Sequence, residues 1–279
     1  MATVMWVDGR VIDAESARVP ALDHGLTVGD GVFETCKVSH GEPFALTRHL
    51  RRLNRSLALL GLPPADDAGV RAAVAETVEA AGRLPLARLR ITVTGGVGPL
   101  GSDRGTGGTT LVVAVSPASP WPDRISGVTV PWTRNETSAV AGAKTTSYAE
   151  NVVALNAAHQ RGAHEALLAN TRGQLCEGTG SNVFVAVGDR LLTPPLTSGC
   201  LGGITRELLL EWAAQEGLPV AEEDLPLGVL DTADDVLLTS STRDVQAVNI
   251  LDGRELSGGK LGRAASDVFA RRAAEGVDP

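Results

Sequence analysis

Aromatic residues are scarce: nine in 279, with a single tyrosine, Tyr148. Ala, Val and Leu must therefore fill the core. Lysine is scarcer still; Lys37, Lys144 and Lys260 stand against 22 arginines. The three cysteines, Cys36, Cys176 and Cys200, are an odd number without zinc spacing, which argues against a disulfide framework. They fit small packing residues better than nucleophiles. Five histidines (His24, His40, His49, His159, His164) show no metal-ligand spacing, so no metal is expected. Excess positive charge is also lacking. A net charge of −8 argues against nucleic acid as a partner, because phosphate binding needs a basic surface. No apolar run reaches the ~18 residues that a membrane span needs. The start, Met1 to Asp8, lacks the basic head and apolar core of a signal peptide. The expectation is a soluble, cytoplasmic chain with neither a membrane nor a nucleic-acid partner. At 43% hydrophobic and 21% charged, its composition is that of an ordinary globular protein.

The pattern along the chain mixes hairpins with helices, which predicts an α+β fold of two α/β domains. Val4 to Val7 and Arg10 to Ile12 flank Asp8-Gly9, a hairpin signal. Leu46, Leu50, Leu53, Leu57 and Leu60 recur at helical spacing and stop at Gly61 and Pro63. Asp67 to Ala81 predicts a second helix, and the alternation of Leu89, Ile91 and Val93 predicts a strand. Gly95 to Gly108 is a glycine-rich loop. Pro117, Pro120 and Pro122 stiffen the connection that follows. The domains are therefore placed at residues 1–116 and 125–279, with a Pro-rich linker over 117–124. Beyond it, a helix is expected from about Tyr148 to Arg161, with apolar Val152, Val153 and Leu155. Strands are expected at Glu165 to Ala169 and Asn182 to Val187 around an Asn170 to Gly173 turn, and a helix opens at Gly203-Ile204-Thr205-Arg206.

Four segments offer chemistry. Lys144 lies in the small, uncharged run Val140 to Thr146. Lysines are mostly solvated, but one partly desolvated between a strand end and a helix start suits an imine-forming amine. Glu177, in Leu175-Cys176-Glu177-Gly178-Thr179-Gly180-Ser181-Asn182, is either a carboxylate in a polar loop or a buried acid with a cationic partner. In the second case it could face a pyridine nitrogen and keep it protonated. Gly199 to Arg206 sets glycines before a helix, where exposed amides and the helix dipole favour an anion. Thr239-Ser240-Ser241-Thr242 offers hydroxyls after a strand. Either segment could equally be common turn chemistry. The glycines match neither a P-loop nor a dinucleotide fingerprint. Arg52 sits off the leucine face of its helix, where a solvated role is the simple reading.

Together these segments resemble the fold-type IV (class IV aminotransferase) family of pyridoxal-phosphate enzymes. The resemblance runs from Leu26-Thr27-Val28-Gly29-Asp30-Gly31-Val32-Phe33-Glu34 through His49-x-x-Arg52-Leu53 and Lys144 to Glu177-Gly178-x-x-Ser181-Asn182-Val183-Phe184. It continues in Gly203-Ile204-Thr205-Arg206 and Ser240-Ser241-Thr242, so these motifs follow in order over almost the whole chain. It implies a D-amino-acid-aminotransferase-like fold of two α/β domains, a pyridoxal 5'-phosphate cofactor between them, and a homodimer. Lys144 would form a Schiff base with the cofactor and shuttle the proton. Glu177 would pair with the pyridine nitrogen. Arg52, the amides of Ile204 and Thr205 and the Thr205 hydroxyl would bind the phosphate. Ser241 with Thr242 would add to the phosphate or substrate-carboxylate side. The implied reaction moves an amino group from an amino acid or amine to a keto acid. The alternative is a 4-amino-4-deoxychorismate lyase releasing pyruvate and 4-aminobenzoate, since both use one lysine and one cofactor.

Departures from the family bear on substrate. Branched-chain members carry a tyrosine five residues after the lysine; here Ala149 stands there and Tyr148 comes one residue earlier, which argues against that subgroup. The arginine and histidine that D-amino-acid transaminases place after the strand ending at Thr94 are replaced by Gly95-Gly96-Val97. Arg104 is a candidate replacement from the loop, or a surface arginine. Phe33, Gly95, Arg104 and Tyr148 are the candidate substrate residues. The run Lys144 to Asn151 is similar to actinobacterial members described as aminodeoxychorismate lyase or class IV aminotransferase.

Overall fold

The computed structural model describes residues 3–279. Contacts divide the chain into two compact units at Pro120–Trp121, within the proline-rich stretch. The short segment Ala143–Tyr148, which carries Lys144, packs with the first unit, as does Val277–Pro279.

The first unit opens with the hairpin of β1 (Val4–Val7) and β2 (Arg10–Asp13). Asp8 and Gly9 both have positive φ, as its two-residue turn requires. A one-turn helix α1 (His24–Thr27) is capped by the Asp23 carboxylate on the amide of Gly25. There follow β3 (Gly31–Ser39), β4 (Glu42–Pro43), α2 (Leu46–Leu59), α3 (Asp67–Ala81), β5 (Leu86–Thr94) and β6 (Thr110–Pro117). The six strands form one antiparallel sheet in the order β2-β1-β6-β5-β3-β4. The period-two alternation of β3 and β5 sends Val32, Cys36, Val38, Leu89, Ile91 and Val93 to one face. There they meet Leu50, Leu53 and Leu57 of α2 and Val70 and Val74 of α3. Each fully buried Leu contributes roughly 1.5–3 kcal/mol. The same alternation leaves Phe33, Arg90 and Thr92 for the opposite face.

The second unit comprises β7 (Ser126–Arg134), α4 (Ala149–Gln160), β8 (Glu165–Asn170), β9 (Leu175–Gly178), β10 (Asn182–Val187) and β11 (Arg190–Thr193). It continues with α5 (Ile204–Gln215), β12 (Val220–Glu222), β13 (Val236–Ser240), β14 (Asp244–Ala247), β15 (Ile250–Leu251), β16 (Arg254–Glu255) and α6 (Lys260–Ala273). One sheet runs β16-β15-β7-β8-β9 and the other β12-β11-β10-β13-β14. They share a core that joins Leu167 and Leu175 to Val183, Val185, Val236 and Leu238. On the far side of the first sheet, Ala154 and Ala158 of α4 pack on Val128, Val130 and Leu168. α5 and α6 meet through Trp212 and Phe269, whose rings lie 5.2 Å apart. The architecture is α+β, as expected. Among the described residues, no helix is long and apolar enough to cross a membrane.

Two features differ from expectation. The Asn170–Gly173 turn leads into β9, not directly to β10, which pairs in the other sheet. Only Leu175 and Cys176 are apolar in β9, too few to show an alternation, and burial of Leu175 in the core fixes the strand. Val152 and Val153 of α4 are exposed, while Asn151, Ala154 and Ala158 face inward. Strand β7 continues to Arg134 through a register shift between Thr129 and Thr133.

Candidate active site

In the first unit, the segment holding Lys144 lies along the N-terminal end of β3. Thr145 bridges Val32, the amide of Phe33 donates to the Lys144 carbonyl (2.9 Å), and Thr146 N–H donates to Gly31 (2.8 Å). The Lys144 amide donates to Ser56 Oγ on α2 (3.1 Å). The lysine backbone is thus fixed from a strand and from a helix. The hydroxyls of Thr146 and Ser147 both donate to the carbonyl of Gly29. Gly29 has φ +72°, and a Cβ there would lie 2.6 Å from Ser147 Oγ, so glycine is required where the chain passes this segment.

The Lys144 amine lies 4.5 Å from the centroid of the Phe33 ring and 5.9 Å from that of Tyr148. The two rings meet edge to face at 5.3 Å. Arg90 stacks on Phe33, its Cζ 3.7 Å from the centroid, and burial lowers its pKa. Tyr148 therefore lines the lysine despite its one-residue offset along the chain.

Arg52 is buried, not solvated off the leucine face. Its Nε and Nη2 donate to both oxygens of Glu34, at 2.8 and 2.6 Å, and His49 Nδ1 donates to Glu34 Oε2 at 2.6 Å. Glu34, on the core side of β3, is fully buried. A charge is tolerated inside only when paired, so the carboxylate draws the arginine inward. Burial alone would raise the Glu34 carboxyl; Arg52 and His49 outweigh it and hold it at about 2. Burial lowers the His49 pKa against the opposing pull of Glu34. Ser56, which anchors Lys144, lies one turn after Arg52 on α2.

In the second unit, Glu177 lies on β9, not in a loop. Its Oε1 accepts from Arg134 Nε (3.0 Å) and its Oε2 from the amide of Leu201 (3.0 Å). Both oxygens are thus engaged by donors, one of them a guanidinium. Arg134 is itself held by Asn151 Oδ1 (2.9 Å), and Asn151 Nδ2 donates to the carbonyl of Thr179. Leu201 also accepts from Asn182 Nδ2 at 2.7 Å. This residue thus ties Glu177 to the glycine loop that leads into α5.

Helix α5 begins at Ile204 with Gly203 as N-cap; no side chain among the described residues caps it. Its first amides, with buried Thr205 beside them, are the arrangement that favours an anion. Ser241 and Thr242 open the three-residue loop between β13 and β14. Thr239 pairs with Asn182 in register, so this loop begins next to the turn that follows Glu177.

Arg104 is engaged elsewhere. Its guanidinium donates to both oxygens of Asp30 (2.7 Å each) and to the carbonyls of Leu60 and Gly61 at the end of α2. The amide of Gly95 donates to the Asp30 carbonyl. Both therefore brace the glycine-rich loop. All three cysteines are buried, and burial raises their thiols, Cys200 to about 11, which suits packing residues. Among the described residues no cluster could hold a metal ion.

Sequence reasoning passed over Glu34 as Arg52's partner, Arg90, Arg134 and Asn151. Glu34 and Arg90 point to opposite faces of the same sheet, a distinction visible once strand register is known. Arg134 meets Glu177 across 43 positions, and no local pattern marks it.

Residues 31–251 match the family model described as amino-transferase class IV. A putative branched-chain-amino-acid aminotransferase of Methanocaldococcus jannaschii is 35% identical over 263 residues, which cover 92% of this chain and 91% of that protein. A D-alanine aminotransferase of Bacillus licheniformis is 30% identical over 270 residues, covering 94% and 93%. Among solved structures, the branched-chain aminotransferase of the archaeon Thermoproteus uzoniensis with norvaline superposes with a TM-score of 0.87 at 30% identity, over 97% of this chain and 94% of that one.

Proposed function

The chain belongs to the class IV aminotransferase family, and on that premise we propose that it is a pyridoxal-phosphate-dependent transaminase moving an amino group from an amino acid or amine to a keto acid. The observation that carries the reading is Lys144, an amine beside two aromatic rings whose backbone is clamped by β3 and by Ser56. Each unit carries groups that suit pyridoxal phosphate: an amine in the first, and in the second a carboxylate held by an arginine and an amide and an anion-favouring helix start.

When bound, the cofactor supplies an electron sink for the carbanion left by proton removal. Lys144 Nζ would be the amine that holds the cofactor at its aldehyde carbon and, once freed by the incoming substrate amine, the base that carries the substrate Cα proton. Glu177, held by Arg134 and the Leu201 amide, would pair with the ring nitrogen. The amides of Ile204 and Thr205, the Thr205 hydroxyl, and Ser241 with Thr242 would bind the phosphate. Arg52, in the first unit, would be a further cation for the phosphate, with Glu34 and His49 fixing the plane of its guanidinium. Arg90, stacked on Phe33, is the cation we assign to a substrate carboxylate. Arg104 and Gly95 both engage Asp30 and so shape the neighbouring loop.

The relatives support branched-chain and D-amino acids as substrate classes, against the reading from Ala149, which stands where the branched-chain subgroup carries its tyrosine. A homodimer is the assembly that the family resemblance implies. Sedimentation of the purified protein tests it.

A panel of amino donors and keto acids tests the reaction, run beside an assay for pyruvate release from 4-amino-4-deoxychorismate. Amino-acid product that requires both donor and acceptor supports the transaminase. Pyruvate released without an amino acceptor overturns it in favour of the lyase.

A further inference from the structure

The buried pair Glu165 and Arg243 lies outside every assignment above. Glu165 opens β8 and is 1% exposed. Its Oε1 accepts from the amides of Ala166 (3.2 Å) and Thr179 (3.0 Å) and from the Thr179 hydroxyl. Its Oε2 accepts from Ser181 Oγ (3.0 Å) and Arg243 Nη2 (3.2 Å). The turn that follows Glu177 is therefore wound round this carboxylate. A Cβ on Gly178 would lie 2.5 Å from Ser181 Oγ and 3.1 Å from the Glu165 carboxyl carbon, so a side chain there would force the turn open.

Arg243 approaches from the other segment. It is the last residue of the Ser241–Arg243 loop, where its amide donates to Ser240 (3.1 Å) and the next residue, Asp244, has φ +57°. Its guanidinium stacks on Trp121, Cζ 3.8 Å from the ring centroid, and is 9% exposed. Among the described residues, its Nε and Nη1 have no hydrogen-bond partner. The side chain is thus held by the Glu165 charge and the Trp121 face, not by a saturated network. Glu165 is one anchor for two segments: the Glu177 turn through Thr179 and Ser181, and the Ser241–Thr242 loop through Arg243.

We propose that Arg243 is a positioning residue for the phosphate end of the cofactor, fixing Ser241 and Thr242 relative to the turn that carries Glu177. The proposal rests on the pyridoxal-phosphate reading above. Its physical basis is that the cofactor ring is rigid, so grips on its nitrogen and on its phosphate must keep a set spacing. Small misplacements of such grips are costly.

The test is a titration of the full-length, cofactor-depleted chain with pyridoxal phosphate and, separately, with pyridoxal, which lacks the phosphate. Wild type is expected to prefer pyridoxal phosphate. Arg243→Gln is expected to weaken pyridoxal phosphate about tenfold while pyridoxal changes less than about twofold, as for loss of a charge-assisted contact. Arg243→Lys, which keeps the charge but not the stacking fork, is expected to recover part of the preference. Should Arg243→Gln fail to fold, Arg243→Lys and Trp121→Leu carry the test, each lowering the same ratio more weakly. A ratio unchanged in every folded variant overturns the proposal and leaves a purely structural pair. A wild type that binds neither compound overturns the cofactor reading itself, and the proposal with it.

Discussion

Arg134 holds Glu177 across an intervening strand. Arg134 ends β7, Glu177 sits on β9, and β8 runs between them, yet Nε and Oε1 meet at 3.0 Å. The contact exists because β7 extends past its register shift far enough for Arg134 to pair with Asn170. Both side chains are largely buried, so solvent screens the pair weakly.

Replacing Arg134 with leucine therefore releases one oxygen of Glu177 and leaves a largely buried carboxylate short of a donor. We expect kcat/KM to fall about tenfold or more, the scale of a lost hydrogen bond to a charged group. Glu177→Gln, which keeps the shape but not the charge, is expected to fall further. Steady-state kinetics on the best donor of the panel decide it. Wild-type rates in Glu177→Gln would remove Glu177 from the ring nitrogen.

Borohydride reduction of the holoenzyme should fix the cofactor to the peptide containing Lys144. Lys144→Ala and Lys144→Arg should both lose the visible absorbance and the transamination, since a guanidinium does not act as the amine nucleophile. Label on Lys37 or Lys260 instead would refute the assignment.

The Glu34 carboxyl is held at about 2, below its ordinary 4.5, so the folded state favours its ionised form. Its stabilising contribution is complete above pH 4.5 and is lost as pH falls towards 2. His49 is also shifted down from 6.5, so the fold favours the neutral ring and begins to lose that contribution below pH 6.5. Glu34→Gln leaves Arg52 as a buried charge without its counterion and should cost about 3 kcal/mol at neutral pH. Urea unfolding of wild type and variant at neutral and acid pH measures both effects; the gap between them should narrow towards pH 2. A constant gap would mean that Glu34 is not the titrating group.

Arg90→Gln removes the cation stacked on Phe33 while leaving Lys144 in place. We expect KM to rise for donors bearing a carboxylate and to stay near wild type for simple amines. An equal change for both donor types would show that Arg90 acts on the ring packing and not on the carboxylate.

The sequence by itself determined the periodic elements and the family. The leucine spacing of α2, the alternation of β5, and the order of Lys144, Glu177 and Gly203-Ile204-Thr205 are local patterns, and local patterns survive without knowledge of the fold. What only the tertiary structure decided are pairings between residues distant along the chain. Arg52 looked solvated because helical periodicity cannot see Glu34 on a neighbouring strand. Strand β9 was hidden because two apolar residues make no pattern, and burial of Leu175 fixes it. Arg134 and Arg243 are two arginines among 22 until the sheets bring them to Glu177 and Glu165. Tyr148 seemed displaced by one position, yet its ring still packs on Phe33 beside Lys144. Backbone direction and side-chain reach set that contact, and residue spacing does not encode them.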